Sequence, residues 1–270
     1  MESRVRPIRV PDLRAKKERG EKIVVLTAYD ASMASLLDRA EIDVLLVGDS
    51  LGMVVLGYET TLPVTLDAMV HHTGAVSRGA KRALVVADMP FLSYQVTESE
   101  AVRNAGRLIQ EGGAAAVKIE GGQSVAGVTR RMVETGIPVM AHLGLTPQSF
   151  HLIGGFRPQA LTEETAARLL EDAQALETAG VFAVVLESIP AAVAKKVTAR
   201  LRVPTIGIGA GPDCDGQVLV SYDAFGLFNS LPSPFVKRYA ALGEAMIAAA
   251  KAYSDDVRSG RFPAAEYTSR

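Results

Sequence analysis

The sequence has little of several features that define whole classes of protein. Its 270 residues include a single cysteine, Cys214, so we expect no internal disulfide and no cysteine-based metal cluster. No apolar run approaches the roughly 20 residues that cross a bilayer, and the charged segment from Met1 to Gly20 has no apolar core typical of a secretory signal. A net charge of -1 gives no electrostatic reason to expect a nucleic acid or a membrane as partner. We therefore predict a cytoplasmic enzyme or binding protein that acts on small molecules.

Short apolar runs, strongly β-branched and mostly without alternation, recur along the chain. This pattern is typical of strands that are buried on both faces of a parallel sheet. We predict strands at residues 24–27, 44–47, 84–87, 116–119, 139–141, 183–186, 205–208 and 218–220.

Stretches with helical spacing separate these runs. Residues 30–40 place apolar side chains at Met33, Leu36 and Leu37, with Asp30 or Ser32 as the N-cap. Further helices are predicted from residue 97 and from residue 162. A strand–helix order repeated about eight times predicts a parallel sheet with right-handed crossovers. Eight units in about 220 residues favour a closed (β/α)8 TIM barrel over an open doubly wound sheet, which stays the alternative.

The segments outside the repeats are predicted to flank the barrel. Residues 10–19 read as a polar helix that caps the bottom of the barrel, and residues 235–254 contain an alanine-rich C-terminal helix. No linker, low-complexity run or internal repeat interrupts the chain. We therefore predict a single domain over residues 1–270.

Several of the predicted strands end on a residue that can take part in chemistry. Residues at the carboxyl ends of barrel strands converge on one mouth. Crowded carboxylates raise one another's pKa unless a cation lies between them, and oxygen donors without cysteine favour a hard ion such as Mg2+. The residues expected at this mouth are Asp49, Ser50, Asp88, Lys118, Glu120, His142 and Glu187.

Each of these residues, taken singly, has a simpler explanation. An acid after an apolar run, such as Asp49 or Asp88, is often a helix N-cap, and a lone His142 is as often a hydrogen-bonded core residue. Lys118 and Glu120 lie two apart and so point to the same side of a strand, where they can form an ordinary salt bridge. Four acids at strand ends in one chain favour the functional interpretation.

Longer motifs give these residues a context. They are Leu46-Val47-Gly48-Asp49-Ser50-Leu51-Gly52, Val86-Ala87-Asp88-Met89-Pro90-Phe91, Val117-Lys118-Ile119-Glu120-Gly121, Ala141-His142-Leu143-Gly144-Leu145-Thr146-Pro147-Gln148, Leu186-Glu187-Ser188, Gly207-Ile208-Gly209-Ala210-Gly211 and Cys214-Asp215-Gly216-Gln217-Val218-Leu219-Val220. With these motifs, in order and at similar spacing, the chain resembles the ketopantoate hydroxymethyltransferase (3-methyl-2-oxobutanoate hydroxymethyltransferase) family over roughly residues 8 to 250.

The resemblance implies a Mg2+-dependent barrel enzyme of pantothenate and coenzyme A biosynthesis. It would transfer a hydroxymethyl group from the co-substrate 5,10-methylenetetrahydrofolate to 3-methyl-2-oxobutanoate through a stabilised enolate, giving 2-dehydropantoate and tetrahydrofolate. Glu187 matches the family's proton acceptor. The metal ligands match Asp49, Asp88 and Glu120, the last directly or through water. Substrate contacts match Asp49, Ser50, Asp88 and Lys118, and we expect His142 to orient the substrate or a bound water.

Two other functions stay open from the sequence. One is a Mg2+-dependent 2-oxo-acid lyase of the phosphoenolpyruvate mutase and isocitrate lyase type, although that group's Lys-Lys-Cys-Gly-His loop does not occur here. The other is a noncatalytic metabolite-binding barrel, which would not call for an unpaired base. The resemblance also implies a homo-oligomer, often a decamer, which the sequence alone does not show.

Overall fold

The computed structural model describes residues 6–228 and 235–268. Within these ranges, eight parallel strands close into a barrel in chain order, with the last strand paired to the first. The strands are β1 Ile23–Thr27, β2 Val44–Val47, β3 Leu84–Asp88, β4 Ala116–Glu120, β5 Val139–Gly144, β6 Ala183–Glu187, β7 Thr205–Ile208 and β8 Gly216–Leu219. The predicted (β/α)8 barrel is thus confirmed. Several strands run past their predicted ends and include the chemically active residue itself.

Helices connect most of the strands, as predicted. They are α1 Val10–Glu18, α2 Ala31–Arg39, α3 Leu51–Val54, α4 Leu66–Gly79, α5 Glu98–Gln110, α6 Ala126–Glu134, α7 Phe150–Ile153, α8 Glu163–Ala179, α9 Ala191–Arg200, α10 Ser221–Ala224 and α11 Leu242–Arg258, with short 3-10 turns at Gln123–Val125, Pro147–Ser149 and Ala265–Tyr267. The predicted N-caps form, because the Asp30 carboxylate and the Thr97 and Thr162 hydroxyls each accept a hydrogen bond from the first helical turn.

Alternate residues of each strand fill the interior of the barrel. The buried cluster includes Val25, Leu46, Val86, Met140 and Val185, which come from five different strands. Because successive side chains of a strand point to opposite faces, the same inward face continues toward the carboxyl end of each strand. The residues that pack in the barrel interior therefore determine which side chains point inward at the carboxyl ends of the strands.

Helix α1 closes the opposite end of the barrel, as predicted. Its Leu13 is fully buried in the same apolar cluster. Lys16 Nζ lies 2.8 Å from Oδ2 of Asp43, just before β2, and Lys17 Nζ lies 2.8 Å from Oδ2 of Asp215, just before β8. These ion pairs attach α1 to the amino ends of the strands.

The packing of Cα atoms divides the chain into two units, Met1–Leu219 and Val220–Arg270. The barrel belongs to the first. In the second, the alanine-rich helix expected within residues 235–254 forms as α11, which runs on to Arg258. Before it, backbone N–H groups of Tyr239 and Leu242 donate to the carbonyls of Ala224 and Phe225. The single domain expected over residues 1–270 stays a prediction. Within the two described ranges, no helix is both long and apolar enough to cross a membrane.

Candidate active site

The inward face of the strands carries the predicted site residues at their carboxyl ends. Val86 fills the interior of the barrel, and Asp88 follows it two residues later on the same face; Val185 and Glu187 are related in the same way. The same spacing delivers Lys118, Glu120 and His142. Because residues two apart on a strand point to the same face, the polar side chains continue the inward face of the core at the carboxyl end of the barrel.

Strand register places the charged residues beside one another. Asp88 is opposite Lys118 across β3 and β4, and Lys118 Nζ lies 2.9 Å from Asp88 Oδ1 and 4.0 Å from Glu120 Oε1. All three side chains are 4% exposed. The pair predicted on β4 is therefore part of a buried cluster and not an exposed salt bridge.

Asp49 joins this cluster from the turn that follows β2. Its backbone N–H donates to Asp88 Oδ2 at 3.0 Å, and its side chain is buried. Burial raises the pKa of Asp49 well above its usual range, and the charges of Asp88 and Glu120 raise it further, against the lowering effect of Lys118. Burial and the neighbouring carboxylates thus favour the uncharged form of Asp49.

The charges of Lys118 and Glu120 stabilise each other despite burial. Burial lowers the pKa of Lys118, but the carboxylates of Asp88, Glu120 and Asp49 outweigh it and raise that pKa. Burial raises the pKa of Glu120, but His142 and Lys118 outweigh it and lower that pKa. Both groups are therefore charged at neutral pH.

His142 lies between two carboxylates. Its Nδ1 is 3.4 Å from Glu120 Oε1, and its Nε2 is 3.1 Å from Glu187 Oε2. Both contacts are off the preferred hydrogen-bond direction. Burial and the charge of Lys118 lower the pKa of His142, but the two carboxylates outweigh them and raise it to about 9. The ring is therefore cationic at neutral pH and separates Glu187 from the Asp49–Asp88–Glu120 group.

Ser50 occupies the N-cap position of α3, next to Asp49. Its hydroxyl lies 2.9 Å from the hydroxyl of Tyr29, a residue that follows β1. The structure thus brings this predicted substrate contact to the loop that carries Asp49.

Two further residues, Gln148 and Tyr94, contact the predicted site residues and were not predicted from the sequence. Gln148, in the 3-10 turn after β5, donates from Nε2 to Asp49 Oδ2 and from its backbone N–H to Glu120 Oε2, both at 2.9 Å. Tyr94, in the loop after β3, accepts a 3.0 Å hydrogen bond from the backbone N–H of Glu120. The sequence feature that could have indicated Gln148 is its position at the end of a long motif, directly after Pro147 and close to the end of a predicted strand.

The donor set suits a hard divalent cation. Three buried carboxylates lie with one lysine, and Asp88 Oδ1 has no well-aligned hydrogen-bond donor despite being buried. Within residues 6–228 and 235–268, no three acid, histidine or cysteine side chains form a ready-made metal-binding group. Mg2+ commonly takes one or two carboxylates and completes its coordination with water and substrate oxygens. Two aspartates at an open mouth agree with that pattern.

The fold and this mouth define a barrel enzyme whose charged groups lie at the carboxyl ends of the strands. Solved structures share the fold. 2,3-Dimethylmalate lyase, described as a member of the phosphoenolpyruvate mutase and isocitrate lyase superfamily, aligns with a TM-score of 0.61 at 21% identity, over 93% of this chain and 88% of that one. Phosphonopyruvate hydrolase, solved with oxalate and Mg2+, aligns with a TM-score of 0.63 at 12% identity, over 96% and 93%. At these identities the likeness shows the fold alone.

Sequence comparison defines the family. The family model described as ketopantoate hydroxymethyltransferase matches residues 7–265, and the chain belongs to this family. It is 59% identical to the 3-methyl-2-oxobutanoate hydroxymethyltransferase of Moorella thermoacetica over 97% of both chains. It is 55% identical to that of Syntrophus aciditrophicus over 97% of this chain and 96% of the relative. The family expected from the motifs is confirmed, and the lyase alternative is not favoured.

Proposed function

We propose that this protein transfers a hydroxymethyl group from 5,10-methylenetetrahydrofolate to 3-methyl-2-oxobutanoate, consuming one water and giving 2-dehydropantoate and tetrahydrofolate. Membership of the family and full-length relatives that carry this enzyme's name support the proposal. The observation that carries it is the ring of His142 between Glu187 and Glu120, the acid that lies in the buried cluster with Lys118 and Asp88. One carboxylate is thereby kept apart from the acids that would bind a cation.

Asp49 and Asp88 are the proposed ligands of Mg2+, with Glu120 as a further ligand, directly or through water. When bound, Mg2+ supplies positive charge to the keto and carboxylate oxygens of the substrate, which favours loss of the C3 proton.

Glu187 is the proposed base for the C3 proton. It ends an apolar strand, and its side chain is 15% exposed, so it reaches the mouth while the strand holds its backbone. His142 contacts one oxygen of Glu187, which orients the carboxylate, and its other ring nitrogen faces Glu120. This leaves the second oxygen of Glu187 for the substrate.

Lys118 and Ser50 complete the proposed substrate contacts. The buried Lys118 ammonium group lies 2.9 Å from Asp88 and supplies positive charge to the proposed substrate site. The carbon nucleophile formed by loss of the C3 proton attacks the folate-derived methylene. Both bonds from that methylene to the folate nitrogens break, and water provides the new hydroxyl oxygen. The C3 proton and the second proton of that water balance the two N–H groups of tetrahydrofolate. The protein's part is to orient the reactants and move the proton.

The proposed assay mixes the protein with Mg2+, 3-methyl-2-oxobutanoate and 5,10-methylenetetrahydrofolate and measures 2-dehydropantoate by mass spectrometry. We expect product only when all components are present, and none when tetrahydrofolate, which lacks the methylene group, replaces 5,10-methylenetetrahydrofolate. Absence of product from folded protein that binds the 2-oxo acid would contradict the proposal. We further propose a cytoplasmic homo-oligomer, a decamer by family resemblance, and light scattering after gel filtration measures its mass.

A further inference from the structure

Gln148 uses every hydrogen-bonding group of its side chain inside the mouth. Its Nε2 donates to Asp49 Oδ2 and to the carbonyl of Met89, both at 2.9 Å. Its Oε1 accepts from the Tyr94 hydroxyl at 2.7 Å and from Gln95 Nε2 at 3.3 Å. The residue is 5% exposed. A buried amide with two donors and two acceptor contacts in place has one orientation.

Tyr94 fixes that orientation. Its oxygen accepts from the backbone N–H of Glu120, and its single proton has two possible acceptors, Gln148 Oε1 at 2.7 Å and the Glu120 carbonyl at 3.2 Å. The shorter contact takes the proton. Gln148 is thus held with its oxygen toward the loop after β3 and its NH2 group toward Asp49.

The backbone of Gln148 contacts the second carboxylate of the cluster. Its N–H donates to Glu120 Oε2 at 2.9 Å. Asp49 follows β2 and Glu120 ends β4, so one residue of the loop after β5 holds acids from two other strands. It does so without adding a charge, which distinguishes it from Lys118.

We propose that Gln148 is a positioning residue that fixes the carboxylates of Asp49 and Glu120 relative to each other and thereby sets the affinity of the mouth for a divalent cation. The inference rests on the proposed function for the identity of the cation as Mg2+. One oxygen of each carboxylate is held by Gln148.

The test measures Mg2+ binding by titration calorimetry with wild type, Gln148→Met and Tyr94→Phe. Methionine keeps the volume of glutamine and removes the side-chain hydrogen bonds, including the one to Asp49, while the backbone N–H to Glu120 remains. Loss of such an outer contact typically weakens metal binding by about 10- to 100-fold, so we expect a Kd higher by that factor for Gln148→Met and a smaller rise in the same direction for Tyr94→Phe. The matched controls are Gln159→Met, whose side-chain amide donates to the Arg157 carbonyl at an exposed position, and Tyr58→Phe, at a residue that is 43% exposed. Both variants should bind Mg2+ as wild type does.

Kinetics separate positioning from general damage. The Mg2+ concentration for half-maximal activity should rise with the Kd in Gln148→Met, whereas kcat at saturating Mg2+ should recover most of the wild-type value. A folded Gln148→Met that binds Mg2+ as tightly as wild type would overturn the proposal. If Gln148→Met does not fold, an unchanged Kd in Tyr94→Phe overturns it in the same way.

The outcome is distinguishable from failure of the proposed function. A weaker Mg2+ Kd in Gln148→Met, together with a wild type that makes no 2-dehydropantoate, would support the positioning role and contradict the reaction. A wild type that binds no Mg2+ but makes the product would contradict the positioning role and support the reaction.

Discussion

His142 and Glu187 face each other at the mouth of the barrel, with Nε2 of the ring 3.1 Å from Oε2 of the carboxylate. The cationic ring lies on the side of Glu187 that faces the other acids. This contact fits the proposal that Glu187 removes a proton while the neighbouring carboxylates bind a cation. It also suggests experiments that separate proton transfer from metal binding.

Glu187→Gln should abolish removal of the C3 proton while leaving Mg2+ and substrate binding intact, because glutamine keeps the shape but accepts no proton. We expect exchange of the C3 proton of 3-methyl-2-oxobutanoate in deuterated water to slow by about 10²- to 10⁴-fold. Proton NMR measures the exchange. Glu171→Gln on α8, which is exposed, serves as control, and wild-type exchange in Glu187→Gln would remove that residue from the role of base.

Asp88→Asn should weaken Mg2+ dependence and activity together. The variant also removes the negative charge that lies 2.9 Å from the buried Lys118 ammonium group, and breaking a buried ion pair typically costs up to about 3–5 kcal/mol of unfolding free energy. Calorimetric Mg2+ titration and thermal unfolding measure the two effects. Asp213→Asn, where the carboxylate is 41% exposed and 3.8 Å from Lys195, should change neither.

Treatment of the wild type with EDTA should remove activity, and added Mg2+ should restore it. The reason is that three buried carboxylates lie beside one lysine, and a cation would offset their repulsion of an anionic substrate. Activity assays before and after dialysis give the measurement. Full activity in EDTA would show that the metal-assisted mechanism is wrong.

Gly144→Ala should lower both stability and proton exchange. Gly144 has φ +91°, and a Cβ there would collide with the carbonyl of Glu187, which also accepts a 2.9 Å hydrogen bond from the N–H of Leu145. Displacing Glu187 should slow exchange on the order of 10²-fold. Gly136→Ala is the matched control, because Gly136 has φ +89° but open space around it, so that variant should cost only about 1–2 kcal/mol of backbone strain. Equal unfolding free energies for the two variants would contradict the role of the close approach.

Cys214 should resist thiol reagents in the folded protein. The side chain is fully buried, and burial raises the pKa of the thiol, so the reactive thiolate is scarcer at any given pH. We expect reaction with a disulfide reagent at pH 8 to be slower than in denaturant, on the order of 10²-fold. Absorbance of the released thiol measures the rate. Equal rates in the two states would show that the thiol is accessible.

The barrel was predictable because its signals are local. Each strand is a short β-branched run between helices, and Asp88, Lys118 and Glu187 occupy strand positions whose direction follows from period-two alternation. The strand ends were less certain, since polar residues such as His142 interrupt the apolar run but remain within the ladder.

The contacts of Gln148 depend on partners that are distant in the chain. Its side chain meets Tyr94, 54 residues away, and Asp49, 99 residues away. No pattern of charge or periodicity marks a neutral amide in a loop, so only the closed barrel brings these residues together. The relation of His142 to Glu187 is likewise a result of strand register.

The ion pairs of α1 lie at the amino ends of the strands, and the chemistry is proposed at the carboxyl ends. Lys16 and Lys17 bond Asp43 and Asp215, none of which belongs to the mouth. Substitutions in α1 can therefore alter heat resistance without altering turnover. For protein engineering, this makes the N-terminal helix a site where the enzyme can be strengthened independently of its catalytic residues.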